Sequence, residues 1–115
     1  MNEYEGFIIK QLNKKGYDHF PKLLSIGVKQ EKPYLILERM GKTLEFYQMI
    51  NKNKFSFTTV NLIGIQMVTL IEQIHSIGYI YNDLKPDNIC VGSHNNIISY
   101  SKLKLIDFGI ASCYI

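Results

Sequence analysis

The spacing of apolar residues along the chain predicts three helices. Between Asn2 and Lys14 these residues recur three or four positions apart, as on one face of a helix, and Gly16 would end that helix. Its apolar positions are Tyr4, Phe7, Ile8 and Leu12. A short helix is predicted over Gly41 to Asn51. A longer amphipathic helix is predicted over Ser56 to Ser76, ending before Gly78.

Extended runs separate and follow these helices. Lys22 to Val28 and Tyr34 to Glu38 are rich in β-forming residues, and the turn Gln30 to Pro33 between them predicts a hairpin. A second hairpin is predicted near the end of the chain. It consists of the short runs Ile89 to Val91 and Leu103 to Ile106 around the polar loop Gly92 to Ser101. Because helices and antiparallel strands are segregated, we expect an α+β fold.

Composition and charge narrow the class of protein. The chain has 115 residues, 46% of them apolar, which is typical of one globular domain. The net charge is +3 and the lysines are scattered, so we expect no nucleic-acid partner. The polar start, Met1 to Glu5, is unlike a secretory signal, and no apolar run looks long enough to span a membrane. We therefore expect an intracellular protein, cytoplasmic or nuclear, with no membrane partner.

The cysteines and histidines are expected to have structural roles. Cys90 and Cys113 are too few for a disulfide framework or a zinc site, so reduced thiols are expected, with Cys90 buried in a strand. His75, at the end of the long helix, is expected to cap the helix or pack beside it. His19 and His94 lie in predicted loops and are expected at the surface.

A loop after the long helix carries side chains suited to phosphoryl transfer. That reaction needs a group that orients the attacking hydroxyl and receives its proton, a cation near the transferred group, and oxygen ligands for a divalent metal. Asp83, Lys85 and Asn88 could supply these from one loop. Asp107 could add a second carboxylate, and Gly109 would let the backbone turn sharply after it.

Each part of this pattern has an ordinary explanation by itself. Asp, Asn and Pro are common turn residues, and an Asp-Phe-Gly triplet can occur by chance. In this chain the Asp-x-Lys-x-x-Asn spacing follows an amphipathic helix, and Asp107-Phe108-Gly109 ends the next predicted hairpin. The combination favours a phosphoryl-transfer site.

These motifs resemble those of eukaryotic protein kinases. Asp83 to Asn88 matches the catalytic-loop motif, and Asp107 to Gly109 matches the magnesium motif. The stretch from His75 to Ala111 is most similar to the casein kinase 1 family. Leu37 to Gly41, followed by Thr43 to Glu45, resembles the hinge of that family and the helix after it. The resemblance runs through nearly the whole chain in the same order and implies a protein kinase-like fold.

The resemblance implies roles for four residues of the large lobe. Asp83 would be the catalytic base, and Lys85 would be the residue that contacts the γ-phosphate in serine/threonine kinases. Asn88 and Asp107 would be the Mg²⁺ ligands. The implied cofactors are ATP and Mg²⁺, and the implied partner is a protein substrate with a serine or threonine.

The resemblance also implies a nucleotide-binding role on the small-lobe side. Leu37 would stand at the gatekeeper position, before a hinge whose backbone at Glu38 and Met40 would hydrogen-bond adenine. Glu5, in the register Glu-x-x-Ile-x-Lys, would be the helix-C glutamate that pairs with the ATP-contacting lysine.

The chain departs from the family pattern at two positions of the loop. The family usually has His-Arg-Asp, whereas this chain has Tyr81-Asn82-Asp83. Tyr81 could replace the histidine in packing beneath the Asp-Phe-Gly segment. Asn82 carries no charge and could not pair with a phosphorylated activation loop, so we expect no requirement for phosphorylation through this residue.

The resemblance further implies a partial domain. Residues 1–40 would be the end of the small lobe, from helix C through the hinge, and residues 41–115 would be the start of the large lobe through the Asp-Phe-Gly segment. The sequence shows no glycine-rich loop, lysine-bearing strand or remaining large lobe, so a truncated gene model or gene fragment is expected. The long helix would then expose an apolar face. We expect the isolated chain to be marginally stable with little kinase activity.

Two other functions stay open. A non-catalytic kinase-like module would bind ATP or a partner without transferring phosphate. A small-molecule phosphotransferase of the kinase-like fold would usually carry His two residues after the catalytic Asp. Lys85 and the complete Asp107-Phe108-Gly109 triplet argue against that second possibility. No oligomeric state is predicted.

Overall fold

The computed structural model describes residues 3–92 and 102–114, which form an α+β fold. The helices are α1 (Glu3–Lys14), α2 (Leu44–Ile50) and α3 (Phe57–Ser76). The strands are β1 (Leu23–Lys29), β2 (Lys32–Leu37), β3 (Tyr79–Ile80), β4 (Ile89–Val91), β5 (Leu103–Leu105) and β6 (Ser112–Cys113). Within the described ranges β1 pairs with β2, β3 with β6 and β4 with β5, all antiparallel. The predicted helices and hairpins are confirmed, and the β3–β6 pair was not predicted.

The first hairpin turns in two residues rather than four. Gln30 and Glu31 have φ angles of 50° and 66°, and Lys29 pairs directly with Lys32. Two successive left-handed residues match the right-handed twist of the flanking strands. The predicted four-residue turn is therefore too long, because Lys32 and Pro33 already belong to β2.

The hairpin formed by β4 and β5 is extended by neighbouring backbone on both edges. Gly41 N–H donates to the Val91 carbonyl at 2.8 Å on the β4 side. On the β5 side Leu105 N–H donates to the His19 carbonyl at 2.8 Å, and His19 Nδ1 lies 2.8 Å from the Leu103 oxygen. His19 is 6% exposed, so the expectation of a surface position is wrong. His19 is buried because its backbone and its ring both bond to the edge of β5.

The core lies between α1, α3 and the β4–β5 hairpin. Its fully buried members include Ile8, Leu12, Leu70, Ile74, Val91 and Leu105. Cys90 is buried in β4, as expected, and Cys113 is exposed. His94 and the predicted polar loop after Gly92 lie outside the described residues. The core fixes the ends of β3 and β5, from which the candidate site is built.

The outward face of α3 is apolar and exposed. An exposed apolar face was expected on this helix, but Leu70 and Ile74, whose spacing helped to predict it, are buried in the core. The exposed fraction is 83% for Phe57 and 73% for Val68. Ser56 caps the helix, with its Oγ accepting from Thr59 N–H at 3.1 Å. By length and composition α3 could cross a membrane, which corrects the expectation that no segment is long enough. The helix also carries Asn61, Gln66, Glu72 and Gln73, and core helices of soluble proteins can have the same length and composition.

Candidate active site

The loop between β3 and β4 carries the first group of predicted residues. Asn82 has a left-handed φ of 71°, which asparagine tolerates better than most residues. Pro86 to Asn88 then form a turn of 3₁₀ helix, and the Asn88 N–H donates to the Lys85 carbonyl at 3.0 Å. These two features bring Asn88 back against Asp83.

Asn88 holds Asp83 in place. Its Nδ2 donates to the backbone oxygen and to Oδ2 of Asp83, both at 2.9 Å, and Asn88 is buried. Because the amide nitrogen makes both bonds, the amide oxygen faces away from Asp83 and suits a hard cation. Lys85 Nζ lies 3.7 Å from Asp83 Oδ1. The three residues predicted in this loop are therefore brought together.

Asp107 approaches the same place from the end of β5. The Ile106 N–H donates to the Asn88 backbone oxygen at 2.9 Å, which ties the two segments together. Asp107 has a left-handed φ of 62°, and its Oδ1 accepts from the Gly109 N–H at 3.0 Å. A Cβ at position 109 would lie 3.1 Å from that oxygen, which is tighter than ordinary contact. One carboxylate oxygen is thus fixed by Gly109, and the other can face a metal ion.

Tyr81 lies beneath the Asp-Phe-Gly segment, as predicted. It is buried, its hydroxyl donates to the Ile106 carbonyl, and its ring lies edge-on to Phe108 with the centroids 5.2 Å apart. Burial and, to a lesser extent, the charges of Asp83 and Asp107 raise the pKa of Tyr81 well above its usual value. The phenol therefore stays protonated and acts as a donor that supports this segment.

Glu5 on α1 lies beside the same segment. Its Oε2 is 4.0 Å from the place that a Cβ on Gly109 would occupy. Burial raises the pKa of Glu5 most, the charge of Asp107 raises it further, and a hydrogen bond from the Phe108 backbone opposes both. The register of Glu5 therefore brings its carboxylate to the Asp-Phe-Gly segment, while its pairing with an ATP-contacting lysine stays a prediction.

We expect Glu5→Gln to remove a pH-dependent loss of stability. Because the folded-state pKa of Glu5 is raised, the folded chain binds this proton more tightly than the unfolded chain. The contribution of Glu5 to stability is therefore present at low pH and is lost as the pH rises through the folded-state pKa. The difference in the free energy of unfolding, variant minus parent, should therefore be larger at about pH 7 than at about pH 4. Urea unfolding at both pH values measures it, and an unchanged difference would contradict the shifted pKa.

The predicted adenine-binding residues follow the end of β2. Leu37 closes the strand, and both Leu37 and Met40 are partly buried. The Glu38 N–H donates to the Lys22 carbonyl at 2.9 Å, which leaves the Glu38 carbonyl available for a ligand. The Glu38 side chain, which has no role in the sequence prediction, accepts from the Lys22 N–H at 3.0 Å and lies 3.4 Å from Lys104 Nζ. The hinge is thus anchored to the start of β1 and to β5.

The segment after the Asp-Phe-Gly triplet is held by neutral groups. Asn82 Nδ2 donates to the Ile110 carbonyl at 3.1 Å and to Ser112 Oγ at 2.9 Å. Strand β6 pairs with β3, and the Tyr114 N–H donates to the Gly78 carbonyl at 3.1 Å. Sequence reasoning missed this pairing because strands of two residues carry no periodic signal.

The donor atoms at the site suit Mg²⁺. Asn88 offers an amide oxygen and Asp107 a carboxylate oxygen. Among residues 3–92 and 102–114, no group of three His, Cys, Asp or Glu side chains is placed to hold a metal ion. Mg²⁺ commonly binds through one or two carboxylates together with phosphates and water. The site therefore fits a metal ion that is bound jointly with a phosphate ligand.

Two comparisons with known proteins give matches that cover most of the chain. A model of the protein kinase domain matches residues 4–115, a range that includes the hinge, the loop and the Asp-Phe-Gly segment. Casein kinase I homolog RAG8 of Kluyveromyces lactis is 35% identical over 99 residues. Those residues are 86% of this chain and 18% of that protein, so the chain spans a small part of the length of this curated relative.

Proposed function

This chain belongs to the protein kinase family and is similar to casein kinase 1, and from that premise we propose that it is the core of a serine/threonine protein kinase domain. The proposed reaction is transfer of the γ-phosphoryl group of Mg-ATP to a hydroxyl of a protein substrate. The observation that carries the proposal is the packing of Asn88 on Asp83, with Asp107 alongside. We also propose an intracellular protein without a nucleic-acid partner, since its lysines are scattered.

The chemistry assigns one role to each residue of the loop. Asp83 orients the attacking hydroxyl and accepts its proton, and Lys85 neutralises charge that develops on the transferred group. When bound, ATP supplies the phosphoryl group and Mg²⁺ neutralises charge on its phosphates. Asn88 and Asp107 would hold the metal ion through the oxygen atoms that face away from their hydrogen-bond partners.

The base of the nucleotide would bind at the hinge. The Glu38 carbonyl and the Met40 N–H are the proposed adenine partners, with Leu37 as the gatekeeper beside them. Glu5 would pair with an ATP-contacting lysine. Asn82 already binds two groups of the segment after the triplet, so we propose that this segment needs no phosphorylated residue at Asn82 to become ordered.

Transfer under single-turnover conditions tests the proposed function. The purified chain, in excess over radiolabelled Mg-ATP, is mixed with a peptide library that contains serine and threonine. We expect slow transfer, because these 115 residues show no glycine-rich loop or lysine-bearing strand to hold the phosphates of ATP. Asp83→Asn should abolish it. Asp87→Asn is the matched control and should not, because Asp87 is exposed in the same loop and has no proposed role.

The results separate the candidate functions. Transfer that depends on Asp83 supports the kinase. Nucleotide binding without such transfer favours the non-catalytic module, and preferred phosphorylation of a small-molecule alcohol favours the phosphotransferase. Rapid multiple turnover that is lost in Asp83→Asn would contradict the expectation that the isolated chain has little activity.

A further inference from the structure

The side chain of Glu38 connects the hinge, at the adenine end of the proposed nucleotide site, to strand β5, which leads to the phosphate end. Glu38 Oε1 accepts from the Lys22 N–H at 3.0 Å and lies 3.4 Å from Lys104 Nζ. Lys22 directly precedes β1, and Lys104 is the central residue of β5. Asp107 is the second residue after β5, so the Glu38–Lys104 ion pair links the hinge to the strand that carries this candidate metal ligand.

The Glu38–Lys104 ion pair is less exposed to solvent than the neighbouring Asp18–Lys102 pair. The side chains of Lys104 and Glu38 are 12% and 28% exposed, against 47% and 61% for Lys102 and Asp18. Solvent and salt screen a shielded pair less than an exposed pair. Lys104 Cε also lies 3.4 Å from the place that a Cβ on Gly92 would occupy, so the stem of Lys104 packs closely over that glycine.

We propose that the Glu38 carboxylate and Lys104 are positioning residues for the nucleotide, an inference that rests on the function proposed above. Together they hold the backbone that would bind adenine at a fixed place relative to β5, which leads to Asp107 at the phosphate end. Neither side chain touches the nucleotide. A single ligand must contact both ends at once, and a preorganised spacing raises its affinity by reducing the ordering that binding requires.

The test compares ligands that occupy one end of the site with a ligand that occupies both. Dissociation constants for Mg-ATP, adenosine and magnesium tripolyphosphate are measured for the chain and for Lys104→Met, which keeps the apolar stem but removes the charge. We expect Mg-ATP affinity to fall about fivefold to tenfold, the effect of losing one ordinary hydrogen bond, because the ion pair acts on the nucleotide only through the backbone it positions. Adenosine and tripolyphosphate should change by less than about twofold, because each contacts one end only.

Lys102→Met is the matched control. It also removes a lysine charge beside β5, but its partner Asp18 belongs to the exposed pair. It should leave the affinity for all three ligands unchanged. An equal loss for all three ligands in Lys104→Met would overturn the proposal, because it would indicate general destabilisation rather than lost alignment.

Glu38→Gln completes a double-mutant cycle with Lys104→Met. Glutamine keeps an oxygen for the Lys22 N–H but removes the charge that attracts Lys104. If the two side chains act as a unit, the double variant should bind Mg-ATP no more weakly than the weaker single variant. Fully additive losses would overturn the proposal.

A measurement without ligand separates this inference from the proposed function. Amide hydrogen exchange in residues 38–43 and 103–105 should be faster in Lys104→Met than in Lys102→Met. If the parent binds no nucleotide but exchange changes as expected, the proposed function fails and the link between hinge and β5 stands. Unchanged exchange overturns the link even if the parent binds Mg-ATP.

Discussion

Asp107→Asn should abolish Mg²⁺-dependent ATP binding while leaving the fold intact. Asparagine keeps the Oδ1 that accepts from the Gly109 N–H, and it tolerates the left-handed φ of 62° at this position. It removes the negative charge that would hold the metal ion. Loss of a residue that only hydrogen-bonds to a metal ligand typically lowers the metal affinity of the site about 10- to 100-fold. Since Asp107 is proposed to contact the ion itself, we expect at least about a 100-fold loss.

Nucleotide titrations with and without Mg²⁺ measure this effect. Asp87→Asn is the control, because it removes the same charge from an exposed position of the neighbouring loop. The charge of Asp107 raises the pKa of Glu5, so its removal should not destabilise the fold, and a thermal melt checks this. An Asp107→Asn variant that binds Mg-ATP as tightly as the parent would exclude Asp107 as a metal ligand.

Phe108→Ala should remove most of the stability of the chain. Phe108 is fully buried, and its ring packs against Tyr81 and Phe20 at centroid distances of 5.2 Å and 6.0 Å. Removing a buried phenylalanine ring destabilises a protein by about 3–5 kcal/mol, and typical domains are stable by about 5–15 kcal/mol. The exposed apolar face of α3 indicates that this chain lies at the low end of that range.

Urea unfolding followed by circular dichroism measures the loss of stability. Ile110→Ala is the matched control, because Ile110 is an apolar residue two positions away but 59% exposed. It should change the free energy of unfolding by less than about 0.5 kcal/mol. Equal destabilisation by the two substitutions would show that Phe108 is not a core residue.

Elements with a repeating pattern or a strong motif could be predicted from the sequence. The bounds of α3 differ from the prediction by one residue, because the apolar spacing continues along the whole helix. Strand β4 has the predicted bounds, Ile89–Val91. The motif also predicted that Asp83 and Asn88 act together, and the structure joins these two residues by hydrogen bonds. These features depend on residues close together in sequence.

Features that depend on distant contacts could not be predicted. His19 looks like a loop residue, yet its backbone and its ring both bond to β5. The Glu38–Lys104 pair joins residues 66 positions apart, and no motif assigns a role to either side chain. The two-residue turn at Gln30 was hidden for a different reason, because Gln-Glu lacks the Asn-Gly signal of such turns.

The tyrosine beneath the Asp-Phe-Gly segment changes how the site would respond to acidity. A histidine, which the family usually has at position 81, can gain a proton between about pH 5 and pH 8. The Tyr81 phenol stays neutral throughout that interval, because burial and the nearby carboxylates raise its pKa. Its hydrogen bond to the Ile106 carbonyl also keeps one direction, since a carbonyl can only accept. The support under the Asp-Phe-Gly segment therefore keeps the same charge and polarity across the physiological range of pH.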